Sequence, residues 1–425
     1  MPTFRPLHHI TPKKGWINDP NGFAYFQGRY HIYCQYNPYD TKWGPMHWLH
    51  FASDDLLHFE ELSEVMKPDQ PYDHEFGCFS GSAIEKDGKL YILYTGAVAG
   101  HQRQCLVISE DGQTFTKYEG NPIIDEKNLP EGYLIKDFRD PKVFEKDGVY
   151  YVLLACRHEG GYSSILLYRS LDLFHYEFVS VVKSFPYCQK GGMVECPDIL
   201  FEGDKCALLY SLQHPKVEGV DFQNDFTIAY TIGSFDLEKG VFTPLGQEHE
   251  LDKGFDAYAT QTLCKDGKNY LVDWQSCWGV NYPSASEGYV GQLSLIKEAH
   301  IEGDRLKLSF LPGTKTARYR VKVEEDQASL CLNNLEIRFD KKNSRVTLLR
   351  LGMEEEVIDE EKNPVDTRFF TLSSLEEVEI ECSYDHSCVE LRFQEGEAFA
   401  SLLNYQRKYE EDISIKTNGC RIIDD

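Results

Sequence analysis

The chain has 425 residues, a formal net charge of −25, and a composition that is 41% hydrophobic and 13% aromatic. That length admits two domains and that apolar content excludes a disordered chain, while the excess of acid excludes nucleic acid and an anionic membrane surface as partners. The 13 cysteines, an odd number with no Cys-x-x-Cys pair, speak against a disulfide framework and a zinc site and point to a reducing, cytoplasmic home.

In chain order, residues 1–6 carry no apolar run, so no signal peptide is expected, and no stretch of ~18 apolar residues offers a membrane span. The first informative stretch is Trp16-Ile17-Asn18-Asp19-Pro20-Asn21-Gly22. Pro20 removes a backbone donor and Asn and Gly favour turns, so Asp19 sits where the chain bends. Behind it, residues 23–26, the pair Gln27-Gly28 and residues 30–33 predict strand, tight turn, strand.

That arrangement recurs. Residues 82–85 run through Asp87-Gly88 into 90–93, and 142–144 through Asp147-Gly148 into 150–153. Residues 198–201 run through Gly203-Asp204 into 207–210, and 262–263 through Asp266-Gly267 into 270–272. The turn glycines 28, 88, 148, 203 and 267 are 60, 60, 55 and 64 residues apart, which suits propeller blades of four short strands. Asp19 lies nine residues before its turn glycine, Asp140 eight and Glu195 eight, so three acids are expected in equivalent places facing one axis. Carboxylates brought together repel, and three in register point to shared chemistry.

From about residue 16 to 310 the chain is β-rich, and the repeat stops at residues 310–314. Strands follow at 328–332, 335–339, 345–349, 378–382 and 389–393, whose partial alternation predicts a β-sandwich. The expected division is a propeller over 1–312 and a sandwich over 313–425. Glu354, Glu355, Glu356, Asp359, Glu360 and Glu361 are expected in a solvated loop.

Several of these stretches resemble the successive signatures of glycoside hydrolase family 32: residues 16–22, Gln35-Tyr36-Asn37-Pro38, Trp43-Gly44-Pro45-Met46-His47-Trp48, Phe79-Ser80-Gly81-Ser82, Phe138-Arg139-Asp140-Pro141 and Glu195-Cys196-Pro197-Asp198. Residues 384–390 are similar to the family's sandwich signature. The resemblance implies an all-β fold, a five-bladed β-propeller followed by a C-terminal β-sandwich. It implies a retaining β-fructofuranosidase acting on sucrose 6-phosphate or sucrose, with a small sugar as its partner and no metal or other cofactor. Transfer of fructose to another sugar, or hydrolysis of fructo-oligosaccharides, is the near alternative; a non-catalytic sugar-binding propeller is the distant one.

By the same resemblance, Asp19 is the nucleophile, Glu195 the general acid and then base, and Asp140 a carboxylate that stabilises the transition state. Glu195 is expected to carry the proton in the resting enzyme. Sugar contacts fall on Asn18, Gln35, Trp43, Phe79, Ser80, Arg139, Tyr258 and Trp274, although strand packing explains each aromatic equally well. For a leaving-group phosphate, Arg103 with His101 is the first choice, and Lys42 and Arg157-His158 are further candidates. The chain departs from the family pattern at His47-Trp48-Leu49-His50-Phe51 and around residues 254–261, which are expected to border the leaving group.

Overall fold

The computed structural model describes residues 3–351, 358–359, 365–406 and 413–423. Among them, helix is confined to four 3-10 turns of three to five residues, and none is long and apolar enough to cross a membrane. Five antiparallel sheets open on the strands Gly15–Phe26, Gly77–Lys86, Tyr133–Lys146, Val194–Glu202 and Tyr258–Lys265. These five strands touch one another in a closed cycle. The hairpins predicted from the repeats are all present, each pairing an innermost strand with the next one out.

Each gap between neighbouring blades holds its own apolar core, and this is what closes the ring. Trp48 and Ile92 meet between the first and second blades, Leu106 and Val152 between the second and third, and Leu153 and Leu208 between the third and fourth. Leu209 and Leu271 fill the fourth gap, and Ile17 and Val272 the fifth. Strands so paired and covered leave no long open edge. The seam carries one further stitch that the repeat did not foretell: Tyr289–Val290, from an excursion within the fifth blade, pairs in parallel with Gly15 and Trp16 of the first.

The last blade strand, Arg305–Phe310, is followed at Ala317–Val323 by two five-stranded sheets packed face to face over Leu330, Ile337, Val346, Ile380 and Leu391. The five predicted sandwich strands are all there. The weakly alternating Thr367–Thr371, Ala398–Leu403, Ile415–Asn418 and Cys420–Ile422 join them. Of the acidic run expected in a loop, Glu354, Glu355, Glu356, Glu360 and Glu361 lie outside the described residues. Asp359 instead sits in a two-residue strand, Ile358–Asp359, paired with Val280–Asn281.

Buried charge fastens the two layers. Arg350 Nη1 donates to Asp256 and to the Leu403 carbonyl, both at 2.7 Å, with its guanidinium carbon 4.3 Å from the centre of the Phe255 ring. Lys297 Nζ lies 2.9 Å from Asp273 and 3.1 Å from Glu390. His9, near the N-terminus, places Nδ1 2.9 Å from Asp385 and Nε2 3.0 Å from Glu390, all three side chains fully enclosed. Asp385 also accepts from the backbone N–H groups of Leu7 and His8, so the N-terminal segment is strapped to the sandwich.

Burial works against a charge on His9, but the Cys388 sulfur and the bonds to Asp385 and Glu390 outweigh it and hold the imidazole well above its ordinary value of 6.5. A group raised in this way adds stability in full below 6.5 and loses it only as pH climbs through the raised value. His9→Gln is therefore expected to cost about 3 kcal/mol at pH 6, the scale of a broken buried ion pair. The deficit should shrink as pH climbs through the raised value, measured as Tm of wild type and variant from pH 6 upward.

Candidate active site

The hairpin turns explain how the ring aims its side chains. The closing pairs are Phe26 with Arg29, Lys86 with Lys89, Lys146 with Val149, Glu202 with Lys205 and Lys265 with Lys268. Four turns have both central residues left-handed, as at Asp147 (φ 53°) and Gly148 (φ 78°), the geometry of a type I′ turn. In the fourth blade the glycine comes first, Gly203 at φ 62°, so counting from glycines slips that blade by one residue.

Counted instead from the closing pairs, Asp19, Phe79, Arg139, Glu195 and Tyr258 are the equivalent residues, each seven before the end of its strand. This corrects the expected register: Asp19 and Glu195 share a place, and Asp140 stands one residue later beside Pro20, Ser80, Cys196 and Ala259. All five innermost strands bulge at this level. Asp140 (φ 64°), Cys196 (φ 45°) and Ala259 (φ 49°) take the left-handed backbone that such a kink requires. The extra residue turns two successive side chains toward the axis.

A cavity of about 450 Å³ opens there, lined by Asp19, Gln35, Trp43, Phe79, Gln102, Asp137, Arg139, Asp140, Glu195, Gln213, Phe226 and Trp278. A larger groove of about 910 Å³ lies between the third and fourth blades, but its Arg169 is paired with Glu177 and its acids Asp172 and Asp236 with His175 and Lys239. The axial cavity gathers four carboxylates around one guanidinium.

Asp19 is buried, and its two oxygens are treated differently. Oδ2 accepts from the Ser80 hydroxyl and from Gln35 Nε2 at 2.9 Å, whereas Oδ1 has no hydrogen-bond partner. Burial raises its pKa above the usual carboxylate range; the Ser80 bond opposes this, and the Glu195 charge adds to it. Asp140 accepts from the Cys196 backbone N–H at 2.9 Å, and the Cys196 sulfur lies 3.6 Å from Asp19 and 3.7 Å from Asp140. Burial pushes Asp140 up to about 7, against the pull of Arg139 and with the push of Glu195 and Asp19. Glu195 has both oxygens occupied. Arg139 donates to Oε1 from Nη2 at 2.7 Å and from Nε at 3.0 Å, and the Tyr258 hydroxyl donates to Oε2 at 2.6 Å.

The expected sugar contacts divide into two groups. Gln35, Trp43, Phe79 and Arg139 line the cavity, with Trp43 42% exposed and set edge-on to Phe79 at 6.0 Å. Asn18, Ser80, Tyr258 and Trp274 lie behind its wall. Asn18 Oδ1 accepts from the Trp16 indole at 2.9 Å, Ser80 serves Asp19, and Tyr258 serves Glu195. Trp274 is fully buried against Trp16 and Trp278, and Trp278 takes the lining place expected of it.

Arg103 and His101 do not line the cavity. Arg103 grips Glu126 through Nε at 2.9 Å and Nη2 at 3.0 Å, because strand alternation sends Gln102 inward and its neighbour outward. His101 Nδ1 lies 3.3 Å from the Ala99 carbonyl. Of the two departures from the family pattern, the first does not line the cavity, and the second reaches it only through Tyr258, whose hydroxyl donates to Glu195. His47–Ser53 is buried throughout, and Gly254 is pressed so closely on the Ser401 backbone that a Cβ would fall 2.0 Å from its oxygen.

Gln102, expected only as a donor beside Arg103, is itself at the wall, and Asp137, Gln213, Phe226 and Trp278 were not foreseen. Gln213 and Phe226 are a cross-strand pair, so their meeting depends on a register between strands that no local motif records. Asp137 had a usable signal, since it stands two residues before Arg139 on the same face of an innermost strand. The search for metal-ligand spacing likewise missed a group assembled by the fold, His9, Asp385 and Cys388. Both nitrogens of that imidazole already face carboxylates.

Because Asp140 is raised from 3.8 to about 7, the folded state binds more protons than the unfolded chain between those values, and stability falls as pH rises through that window. Asp140→Asn removes the buried charge. It is expected to raise Tm by a few degrees at pH 8, a gain that fades as pH falls to 4, followed by calorimetry.

A model of the glycosyl hydrolases family 32 N-terminal domain matches residues 9–312. The chain is 33% identical over 336 residues to a sucrose-6-phosphate hydrolase of Zymomonas mobilis, covering 75% of this chain and 64% of that protein. It is 36% identical over 316 residues to a raffinose invertase of Escherichia coli, covering 72% of this chain and 64% of that protein. It thus spans a little under two thirds of the length of these relatives. Among solved structures, a Bombyx mori family 32 beta-fructofuranosidase superposes with a TM-score of 0.84 at 29% identity, covering 99% of this chain and 92% of that one. The sucrose-6-phosphate hydrolase of Lactobacillus gasseri superposes at 0.86 and 28% identity, covering 97% and 90%. With its five-bladed propeller, its sandwich and the motif residues gathered on one axis, the chain belongs to glycosyl hydrolase family 32.

Proposed function

We propose that this protein is a retaining β-fructofuranosidase that hydrolyses the fructosyl linkage of sucrose and sucrose 6-phosphate. The observation that carries the reading is Asp19: a carboxylate at an equivalent place to Glu195, with one oxygen held by Ser80 and Gln35 and the other buried without a partner. An oxygen so prepared can attack an anomeric carbon, and the bond to Ser80 and Gln35 keeps the attacking group in one orientation.

In this scheme Glu195 protonates the departing glycosidic oxygen as Asp19 Oδ1 bonds to the fructose carbon. Glu195 then takes a proton from water, which displaces Asp19 and regenerates the free carboxylate. Tyr258 and Arg139 hold Glu195 in place, and Arg139 supports the negative charge left on it after proton transfer. Asp140, anchored by the Cys196 N–H, faces the charge that develops on the sugar. Trp43, Phe79, Phe226 and Trp278 give apolar walls for the ring faces, and Gln35, Gln102 and Gln213 offer donors and acceptors to hydroxyls. Neither Arg103 nor His101 is put forward as a phosphate contact, given their other partners.

The name of the Zymomonas mobilis relative supports sucrose 6-phosphate, and a Bombyx mori family 32 beta-fructofuranosidase variant solved in complex with sucrose supports sucrose. A propeller ending near residue 312 and a sandwich from 313 remain the proposed division, supported by the break between Phe310 and Ala317. A cytoplasmic setting is supported by 13 cysteines that are all free.

Glu195→Gln is expected to lower kcat on sucrose by about 10²-fold to 10⁴-fold, the usual worth of a positioned proton donor, with Tm little changed. Asp19→Asn should be as inactive and form no fructosyl adduct detectable by intact mass. Wild-type protein that released no fructose from either sugar would overturn the reading, as would Glu195→Gln retaining a tenth of wild-type turnover.

A further inference from the structure

Arg139 is the only cation among the described residues lining a cavity that also holds Asp19, Asp137, Asp140 and Glu195. Burial disfavours its charge, but Glu195 and Asp140 outweigh burial and keep it protonated. Its Nε and Nη2 are spent on Glu195. Nη1 points the other way, 3.2 Å from Gln102 Oε1 and 3.5 Å from Asp137 Oδ1, while Asp140 Oδ2 lies 3.9 Å from Nε.

Asp137 takes no part in the chemistry described above, yet it is not free. Its Oδ2 accepts from Arg157 Nε at 3.0 Å, and Arg157 Nη1 reaches the Gly192 carbonyl at 3.4 Å. Gly192 lies two residues before the strand Val194–Glu202 that delivers Glu195. Charges therefore alternate Glu195, Arg139, Asp137, Arg157 from the cavity floor to its rim, and the series returns to the segment that carries its first member.

A guanidinium held from one side only can turn about its stem, and here a turn would carry it from Glu195 toward Asp140 or Asp19. A second anchor on Nη1 removes that freedom. We propose that Asp137, itself fixed by Arg157, is a positioning residue that acts on Glu195 through Arg139. The proposal rests on Glu195 being the acid and base of the reaction.

The groups that face Arg139 are Glu195, Asp140 and Asp19 from the innermost strands, Asp137 and Arg157 from its own blade, and Tyr258 and Cys196 beyond the carboxylates. Without the Asp137 anchor Arg139 is free to turn from Glu195 toward Asp140, and the loss of a cation bonded at 2.7 Å outweighs the loss of the more distant Asp137 charge, so the Glu195 carboxylate becomes harder to form.

The test uses the full chain with sucrose or sucrose 6-phosphate, whichever the wild type cleaves, and compares Asp137→Asn, Asp137→Glu and Arg157→Ala. Asp137→Asn is expected to lower kcat about tenfold with KM changed less than twofold, the scale of one displaced positioning contact. The alkaline limb of its kcat profile should move to higher pH by about half a unit or more. Asp137→Glu should restore most of both, and Arg157→Ala should shift the limb in the same direction. A raised KM with kcat and the limb unchanged would make Asp137 a sugar contact and overturn the proposal, and a lowered Tm with an unmoved limb would overturn it as a structural role. The Glu195 carboxyl titration followed by NMR reads the same shift without turnover. A shift there in a protein inactive on both sugars would support the positioning role while defeating the proposed function, and no shift would defeat the positioning role itself.

Discussion

Acids crowded in a place with little water are the constraint around which this protein is built. Asp19, Asp140 and Glu195 come from three different blades, and bringing them to one axis without compensation would drive them apart or neutralise them. The compensation is distributed. Ser80 and Gln35 serve Asp19, the Cys196 N–H serves Asp140, and Arg139 with Tyr258 serves Glu195, so each donor comes from a blade other than that of the acid it serves, except Gln35, which shares Asp19's. The ring must close before the acids are satisfied. A second buried pair, Lys142 Nζ to Asp198 at 2.8 Å with the Thr262 carbonyl at 2.9 Å, ties the strands of Asp140 and Glu195 to the innermost strand of the fifth blade.

Much of this was legible in the chain. Turn signals of the Asp-Gly kind have a mechanism, a left-handed pair of residues between two strands, and so each hairpin could be placed from sequence. The slip at Gly203 shows the limit of that signal. A glycine can occupy either central position of a two-residue turn, and only the pairing decides which, so a one-residue error entered the register of Glu195 and set it level with Asp140, which in fact stands one place later. The residues missed at the cavity share a cause. Phe226 and Gln213 reach the wall through strand pairing, and Trp278 through an excursion that leaves the repeat altogether. Trp274 was expected at the sugar from the family resemblance, but it ends the strand Lys268–Trp274 fully buried behind the wall.

The sandwich is fastened to the propeller by ions as well as by oil. Phe255 of the propeller enters the sandwich core and Phe399 of the sandwich enters the core between the fourth and fifth blades. Around these rings lie Arg350 with Asp256, Lys297 with Asp273 and Glu390, and His9 with Asp385 and Glu390. Loss of one partner from such a set leaves another charge buried, which is why the motif at residues 384–390 carries two acids that are far from the cavity yet not exchangeable for apolar residues one at a time.

The placement of the indoles has an optical consequence. The chain has five tryptophans, and all of them belong to the neighbourhood of the cavity. Trp43 and Trp278 line it, while Trp16 and Trp274 stand within 5.8 Å of Trp278 or of each other, ring centre to ring centre. Trp48 Nε1 donates to the Cys78 carbonyl at 3.0 Å, one residue before Phe79. No tryptophan lies in the sandwich. The ultraviolet emission of the native chain is therefore a signal from one end of one layer, coupled among rings close enough to exchange excitation, sensitive to what fills the cavity beside Trp43 and Trp278 and blind to loosening of the sandwich alone.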